Sequence, residues 1–179
     1  MTANDVIHFW FEEIAQESWW KKDEAFDKEI TERFLVLHKQ AIQGELFAWR
    51  DSALGCLAEI IILDQFSRNI YRDLPQAFAA DSMALVLAQQ AILSDKDKAL
   101  NTTQRAFLYM PFMHSESLVI HDVAVELFTD LGVSSSLAFE IKHRDIIAKF
   151  GRYPHRNIIL NRQSSAEELE FLKQPGSSF

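Results

Sequence analysis

The sequence predicts an all-α protein of seven to eight helices arranged in antiparallel hairpins. Apolar residues recur every three or four positions, which is the spacing of one face of a helix, and no convincing run alternates like a strand. Only five Gly and four Pro are scattered over 179 residues. The connections between periodic segments are short, which favours antiparallel neighbours. Because no linker composition marks a boundary, we expect a single all-α domain over residues 1–179.

The first two helices are predicted over residues 6–15 and 23–44. Asp5 is a candidate N-cap for the first, since its carboxylate can accept from the free amides of a helix N-terminus. Gly44 is suited to a left-handed cap at the end of the second. The second helix carries one apolar stripe, formed by Phe26, Ile30, Phe34, Leu37 and Ala41.

The third and fourth helices are predicted over residues 53–71 and 75–93. Asp51 or Ser52 can cap the third. Pro75 fits the first turn of the fourth, where its missing N–H is not needed.

Four further helices complete the prediction. The fifth covers roughly residues 102–110 and is interrupted or kinked at Pro111. The sixth and seventh cover residues 117–132 and 135–151, and Gly151 ends the latter. A short last helix is opened by Ser165, with Glu168 three residues on as a capping box.

Composition limits the compartment and the partners. A formal charge of −8 opposes binding to nucleic acid or to an anionic membrane surface. The single cysteine, Cys56, excludes a disulfide framework and favours a reducing compartment. Residues 1–10 do not resemble a signal peptide, and apolar runs such as residues 60–63 are too short to span a bilayer. We therefore expect a cytoplasmic protein.

The chain is rich in aromatic residues, with fourteen Phe and four Trp. They could form a stacking platform for a ligand, but filling the gaps between crossed helices is the favoured interpretation. Trp19 and Trp20 cannot both point inward from one turn.

Positive charge is concentrated in the sequence HRDIIAKFGRYPHRN, residues 143–157. Residues 1–60 have a charge balance of −6, whereas residues 143–162 have a balance of +4. Arg predominates over Lys there, and its planar fork suits carboxylate or phosphate. His143 shares a helix face with Phe139, Ile146, Ile147 and Phe150, so we expect it to point inward. After Gly151 the chain is expected to be irregular because Pro154 cannot continue the helix and favours an extended Tyr153.

Two other polar segments are candidates for the same site. Asp64, Arg68 and Arg72 follow at four-residue steps on one helix face, and a buried Arg68 would need a further acceptor such as a bound anion. In MPFMHSES, residues 110–117, Glu116 could pair with His114 or His143 as an acid and base. The alternative is an ordinary helix start with Ser115 or Ser117 as N-cap.

The sequences LDQFSRNIYR (63–72), RAFLYMPFMHSES (105–117) and HRDIIAKFGRYPHRN (143–157) resemble the bacterial family known as domain of unknown function 924. VIHFWF and RQSSAEELEFL fit the same pattern, so the resemblance covers almost the whole chain. It implies a fold similar to the right-handed arrays of tetratricopeptide repeats, although no clean 34-residue repeat is present. It implies no specific activity. The family's recurring residues correspond here to Asp64, Gln65, Arg68, Asn69, Arg72, His114, Ser115, Glu116, His143, Arg144, Gly151, Arg152, Pro154, Arg156 and Asn157.

Asn161 departs from that pattern, which would have Gly at this position. The departure indicates a turn with positive φ, a conformation that Asn tolerates.

Three hypotheses follow. The first is a binding module for a small anionic molecule or an acidic peptide end, needing no cofactor or metal. Its predicted ligand-binding residues are Asp64, Arg68, Arg72, His114, Glu116, His143, Arg144, Arg152, His155, Arg156 and Asn157. The second is a hydrolase of phosphate or carboxylate substrates, with Glu116 or a histidine as base and His121–Asp122 in a metal-dependent version. The third is a protein-interaction scaffold in which these groups form a buried structural network.

Overall fold

Residues 1–177, which the computed structural model describes, consist of helices and turns with no β-strand among them. The all-α prediction is therefore confirmed. The α-helices of these residues are α1 Ala3–His8, α2 Glu24–Ile42, α3 Ala53–Ile61, α4 Ser67–Ile70, α5 Asp81–Leu93, α6 Thr102–Met113, α7 Leu118–Leu131, α8 Ser134–Phe150 and α9 Ala166–Phe171. Within residues 1–177 none of the helices combines the length and apolar character required to cross a membrane.

The chain forms two compact units. The first contains residues 1–72 and 76–111, and the second contains residues 73–75 and the chain from Phe112 onward. The single domain over residues 1–179 stays a prediction.

The N-terminal helix begins earlier than the sequence predicted. Thr2, and not Asp5, is the N-cap, because its side chain accepts from the Asp5 amide while the Asp5 carboxylate accepts from the Thr2 amide. This reciprocal arrangement is a capping box, which places Asp5 three residues inside the cap. A π-helical turn, Phe9–Glu13, continues α1.

Aromatic side chains fill the core of the first unit. The ring centroids of Phe9 and Phe34 are 4.8 Å apart, and those of Phe34 and Phe66 are 4.7 Å apart. All five residues of the predicted α2 stripe are buried. Trp19 donates through Nε1 to the carbonyl oxygen of Trp10 at 3.0 Å, whereas Trp20 is 65% exposed. The buried aromatic residues of this unit therefore pack its core, as the favoured interpretation held, whereas Trp20 does not.

The third predicted helix is divided into three parts. Ser52 caps α3 by accepting from the Gly55 amide at 3.0 Å. A π-helical turn, Ile62–Phe66, separates α3 from α4. Every residue from 55 to 67 is buried, so this segment is the central one of its unit.

Two proline predictions need correction. Pro75 does not open one long helix: it begins a 3₁₀ helix, Pro75–Phe78, and α5 starts afresh at Asp81, where the first turn favours a carboxylate. Pro111 does not end the fifth helix, since α6 continues to Met113. Pro111 has no N–H to donate to the carbonyl of residue 107, yet the helix continues for two residues beyond it.

In the second unit, α7 and α8 pack against each other and are joined by only Gly132 and Val133. Gly132 and Gly151 adopt φ values of 76° and 68° at the ends of these helices. Ser165 forms the predicted capping box with Glu168 at the start of α9. The end of α8 and the start of α9 are thus confirmed.

The turn after α8 differs in part from the prediction. Tyr153 is extended as expected, but Pro154 opens a 3₁₀ turn, Pro154–Arg156, because its fixed φ suits the first position of a helical turn. Phe139 is 53% exposed, since the neighbouring Glu140 takes the inward position on α8. Asn161 has φ of 52°, which confirms the positive φ predicted there.

Candidate functional site

Asp64 and Arg68 lie in the first unit and form the predicted four-residue pair. Arg68 Nη1 donates to the backbone oxygen of Asp64 at 2.7 Å and lies 3.1 Å from its Oδ1. Both terminal nitrogens of Arg68 also donate to the two carboxylate oxygens of Asp81, at 3.1 and 3.2 Å. The sequence predicted that a buried Arg68 needs a further acceptor and suggested a bound anion. Asp81 supplies such an acceptor from within the protein.

Arg72 also lies in the first unit and pairs with α2. Its Nε and Nη2 donate to the two oxygens of Asp27, the latter at 2.6 Å. Asn69 donates to the same carboxylate at 2.8 Å. These contacts connect α4 to α2.

In the second unit, polar residues gather around Tyr153, which is only 1% exposed. Its hydroxyl donates to the backbone oxygen of Met113 at 2.6 Å and lies 3.1 Å from His121 Nε2. The imidazoles of His143 and His155 have centroids 5.8 and 5.5 Å from its ring, and the Arg156 guanidinium lies 4.6 Å from the ring centroid. His114 joins this group through its carbonyl oxygen, which accepts from Arg156 at 3.0 Å. We call Tyr153, His114, His121, His143, His155 and Arg156 the Tyr153 cluster.

His143 is the most strongly perturbed base of this cluster. Burial lowers its pKa to about 3, an effect that donation from Nδ1 to the Phe139 oxygen at 2.8 Å only partly opposes. The positive charges that His114, His121 and His155 can carry lower it further. His143 is therefore neutral at physiological pH, and it points inward as predicted.

His121 forms a fully buried pair with Glu140. Its Nδ1 lies 2.6 Å from Glu140 Oε1, and its Nε2 lies 2.9 Å from the carbonyl oxygen of Ser115. Since a carbonyl oxygen only accepts, Nε2 is the donor in the contact with Ser115, and the Glu140 carboxyl group holds the opposite side of the ring. Burial raises the pKa of Glu140, although the His121 hydrogen bond opposes this.

Glu116 is paired with Arg162, and its suggested partnership with His114 or His143 stays a prediction. Its oxygens accept from the two terminal nitrogens of Arg162 at 2.6 and 2.9 Å, and one also accepts from the Tyr153 amide at 2.8 Å. Burial raises the pKa of Glu116, but these hydrogen bonds outweigh it and keep the pKa below its usual value. A stable carboxylate of this kind positions Tyr153 and is a weak base.

The remaining predicted residues of the second unit have defined partners. Arg144 forms an exposed ion pair with Asp122 at 2.8 Å. Arg152 donates to both oxygens of Glu168 at 2.7 and 2.8 Å, and this pair holds the pKa of Glu168 at about 2. Asn157 is buried and accepts from Arg162 at 2.9 Å. The structure therefore gathers His114, His143, His155 and Arg156, with Glu116 and Asn157 linked through Arg162.

Sequence reasoning missed Glu140, Tyr153 and Arg162. Glu140 had a detectable signal, because it lies three residues before His143 and so shares its helix face. Arg162 had none, since its partner Glu116 is 46 residues away.

The metal-dependent version of the hydrolase loses its basis. His121 points inward, whereas Asp122 pairs on the surface with Arg144. Among residues 1–177, no group of three or more His, Cys, Asp or Glu side chains is placed to hold a metal ion.

The comparisons with known proteins agree with the fold described above. A family model described as bacterial protein of unknown function (DUF924) matches residues 6–176. The chain belongs to the DUF924 family. A solved structure, that of the protein of unknown function ATU0120 from Agrobacterium tumefaciens, is similar to this DUF924 chain with a TM-score of 0.91 and 37% identity over 96% of each chain. No curated protein matches the sequence. The family and the relative therefore support the fold and assign no specific function.

Proposed function

We propose that this DUF924 protein is a cytoplasmic binding module whose Tyr153 cluster holds a small anionic molecule or the acidic end of a peptide. The observation that carries the proposal is the placement of three imidazoles and a guanidinium around one buried phenol. His114 and His155 are only partly buried, so they provide an accessible edge.

Basic groups in such a cluster oppose one another's protonation. The neighbours that lower the pKa of His143 are all imidazoles that become cationic when they take up a proton. An anion placed among them would favour the charged forms, so binding would be coupled to proton uptake. Imidazole N–H groups and the Arg156 guanidinium would supply the hydrogen bonds.

The ion pairs of the second unit reduce the number of residues that the ligand would contact. Arg152 and Arg162 are engaged by Glu168 and Glu116. Their role is to fix the turn that carries Tyr153, His155 and Arg156, and the ligand would contact the histidines and Arg156 themselves.

Thermal shift and calorimetry test this proposal. Inorganic phosphate and a peptide with an acidic C-terminus should each be added to wild type, to His155→Gln and to His8→Gln, a matched control at an exposed histidine of the first unit. A probe at 100 times its Kd should stabilise wild type and the control by about 2.7 kcal/mol, and His155→Gln should abolish the shift. Affinity should rise as pH falls, with proton uptake measured in buffers of different ionisation enthalpy. Equal shifts in the two variants, or none with either probe, would refute the proposal.

We also propose that the helices form a tetratricopeptide-repeat-like right-handed array. The α7–α8 hairpin, with its two-residue connection, supports this because such arrays are built from paired antiparallel helices. A crystal structure in which successive helix pairs are not related by a right-handed rotation would reject it. A cytoplasmic location agrees with the single buried thiol of Cys56, and cell fractionation would test it.

A further inference from the structure

A groove lined by apolar surface and by several polar side chains lies entirely within the first unit and plays no part in the proposed function. It contains about 370 Å³ of space, counting the part open to solvent. Its polar lining comes from Arg50, Cys56, Glu59, Gln90, Ser94 and Lys96. We call it the Arg50 groove.

The guanidinium of Arg50 is fixed by a buried carboxylate. Arg50 Nε and Nη2 donate to the two oxygens of Glu59 at 2.7 and 2.6 Å, and the Glu59 side chain is fully buried on α3. Within residues 1–177, Arg50 Nη1 makes no hydrogen bond to the protein. A guanidinium that a carboxylate holds along one edge presents its remaining N–H donors in a defined direction.

Lys96 brings a second cation to the same groove. Its ammonium donates to the backbone oxygen of Arg50, which leaves two further N–H donors, since an ammonium has three. Burial raises the pKa of the Cys56 thiol, while Lys96 and Arg50 both act to lower it. Both cations therefore lie close to Cys56, on the wall of the groove.

The charge in the groove contrasts with that of the chain. The groove lining contains two cations, Arg50 and Lys96, and one carboxylate, Glu59, so one positive charge remains in a chain of net charge −8. Gln90 adds an amide donor, whose contact with Ser94 Oγ is long at 3.4 Å. Fixed N–H donors and a net positive charge favour a ligand with several acceptor oxygens and a negative charge.

We propose that the Arg50 groove binds a small oxyanion, a carboxylate or a phosphate, between Arg50 Nη1 and the Lys96 ammonium. Glu59 is the positioning residue, because it orients the guanidinium without contacting the ligand.

The test is a titration of the ¹⁵N-labelled protein with sodium phosphate and with sodium acetate at constant ionic strength. We expect saturable shifts of the amide signals of Cys56, Ala91 and Ser94 with at least one anion, and the responding anion identifies the ligand class. Lys96→Gln should raise the Kd about tenfold, the effect of losing one charge-assisted hydrogen bond. Lys98→Gln is the matched control, since it removes the same charge from an exposed lysine paired with Asp95.

Three outcomes would overturn the proposal: no saturable shift at these amides in wild type, equal Kd values for Lys96→Gln and wild type, or an equal loss with Lys98→Gln. The wild-type titration decides the matter alone if Lys96→Gln does not fold. His155→Gln should leave these shifts unchanged, which separates this site from the Tyr153 cluster.

Discussion

Acid should destabilise this protein through His143, a buried base whose pKa lies far below its usual value. The side chain donates from Nδ1 to the Phe139 oxygen and has three other histidines around it. Its pKa is about 3 in the folded chain and 6.5 in the unfolded chain. Between these two values the unfolded chain binds the extra proton and the folded chain does not, so stability falls as pH falls.

The magnitude follows from the two pKa values. Each pH unit within this window changes the free energy of unfolding by roughly 1.4 kcal/mol, so lowering the pH from 7 to 4 costs about 3 kcal/mol from His143 alone. That is a large part of the total stability of an ordinary domain, which is about 5–15 kcal/mol.

Urea unfolding of wild type and His143→Asn, followed by tryptophan fluorescence between pH 7 and pH 4, measures this contribution. Asn can still donate to the Phe139 oxygen but does not titrate, so the variant should lose the additional pH dependence. His8→Asn, at an exposed histidine, should retain it. Other groups also titrate in this range, and the comparison between variants removes their common contribution. Parallel pH profiles for wild type and His143→Asn would refute the reasoning.

Three further predictions concern stability, each measured by chemical denaturation. Glu140→Ala should lower the free energy of unfolding by about 3–5 kcal/mol because it leaves buried His121 without its carboxyl partner. Glu140→Gln should lower it less because the amide can still contact Nδ1, and equal losses in the two variants would contradict this. Gly55→Ala should be worse than Gly44→Ala, since a Cβ at Gly55 would lie 1.9 Å from the Trp49 carbonyl oxygen whereas one at Gly44 meets nothing within 4 Å. Gly44→Ala should lower the free energy of unfolding by only about 1–2 kcal/mol because of the positive φ at this position. A similar loss for Gly55→Ala would therefore rule out the clash with the Trp49 carbonyl oxygen. Asn161→Gly should be nearly neutral and Asn161→Val should lose about 1–2 kcal/mol; no difference between them would exclude backbone strain at this position.

Local features were predicted well where a few neighbouring residues decide the structure. The α2 stripe, the Ser52 cap and the Ser165 capping box all depend on contacts within about one helical turn, whereas the positive φ of Asn161 was expected from the family resemblance. The errors at the N-terminus and at Pro75 and Pro111 are local alternatives. In each, two neighbouring residues or helix types had similar propensity, and packing selected one.

The candidate site was predicted less completely because its partners are distant in sequence. Local spacing suggested histidine partners for Glu116, but it did not indicate the bidentate pair with Arg162, which lies 46 residues away. Arg68 was predicted to need a further acceptor, and Asp81 provides one from α5. His143 points inward as predicted, but no role was predicted for the buried Glu140 on the same helix face.

By itself, the sequence determined that the protein is all-α, where most helices begin and end, and which residues carry its positive charge, because helix periodicity and capping act over three or four residues. Only the tertiary structure decided which carboxylate neutralises which arginine, that His121 and Glu140 form a buried pair, and that several histidines surround Tyr153. Those contacts join segments up to several dozen residues apart, and their strength depends on burial, which a local pattern of residues does not specify.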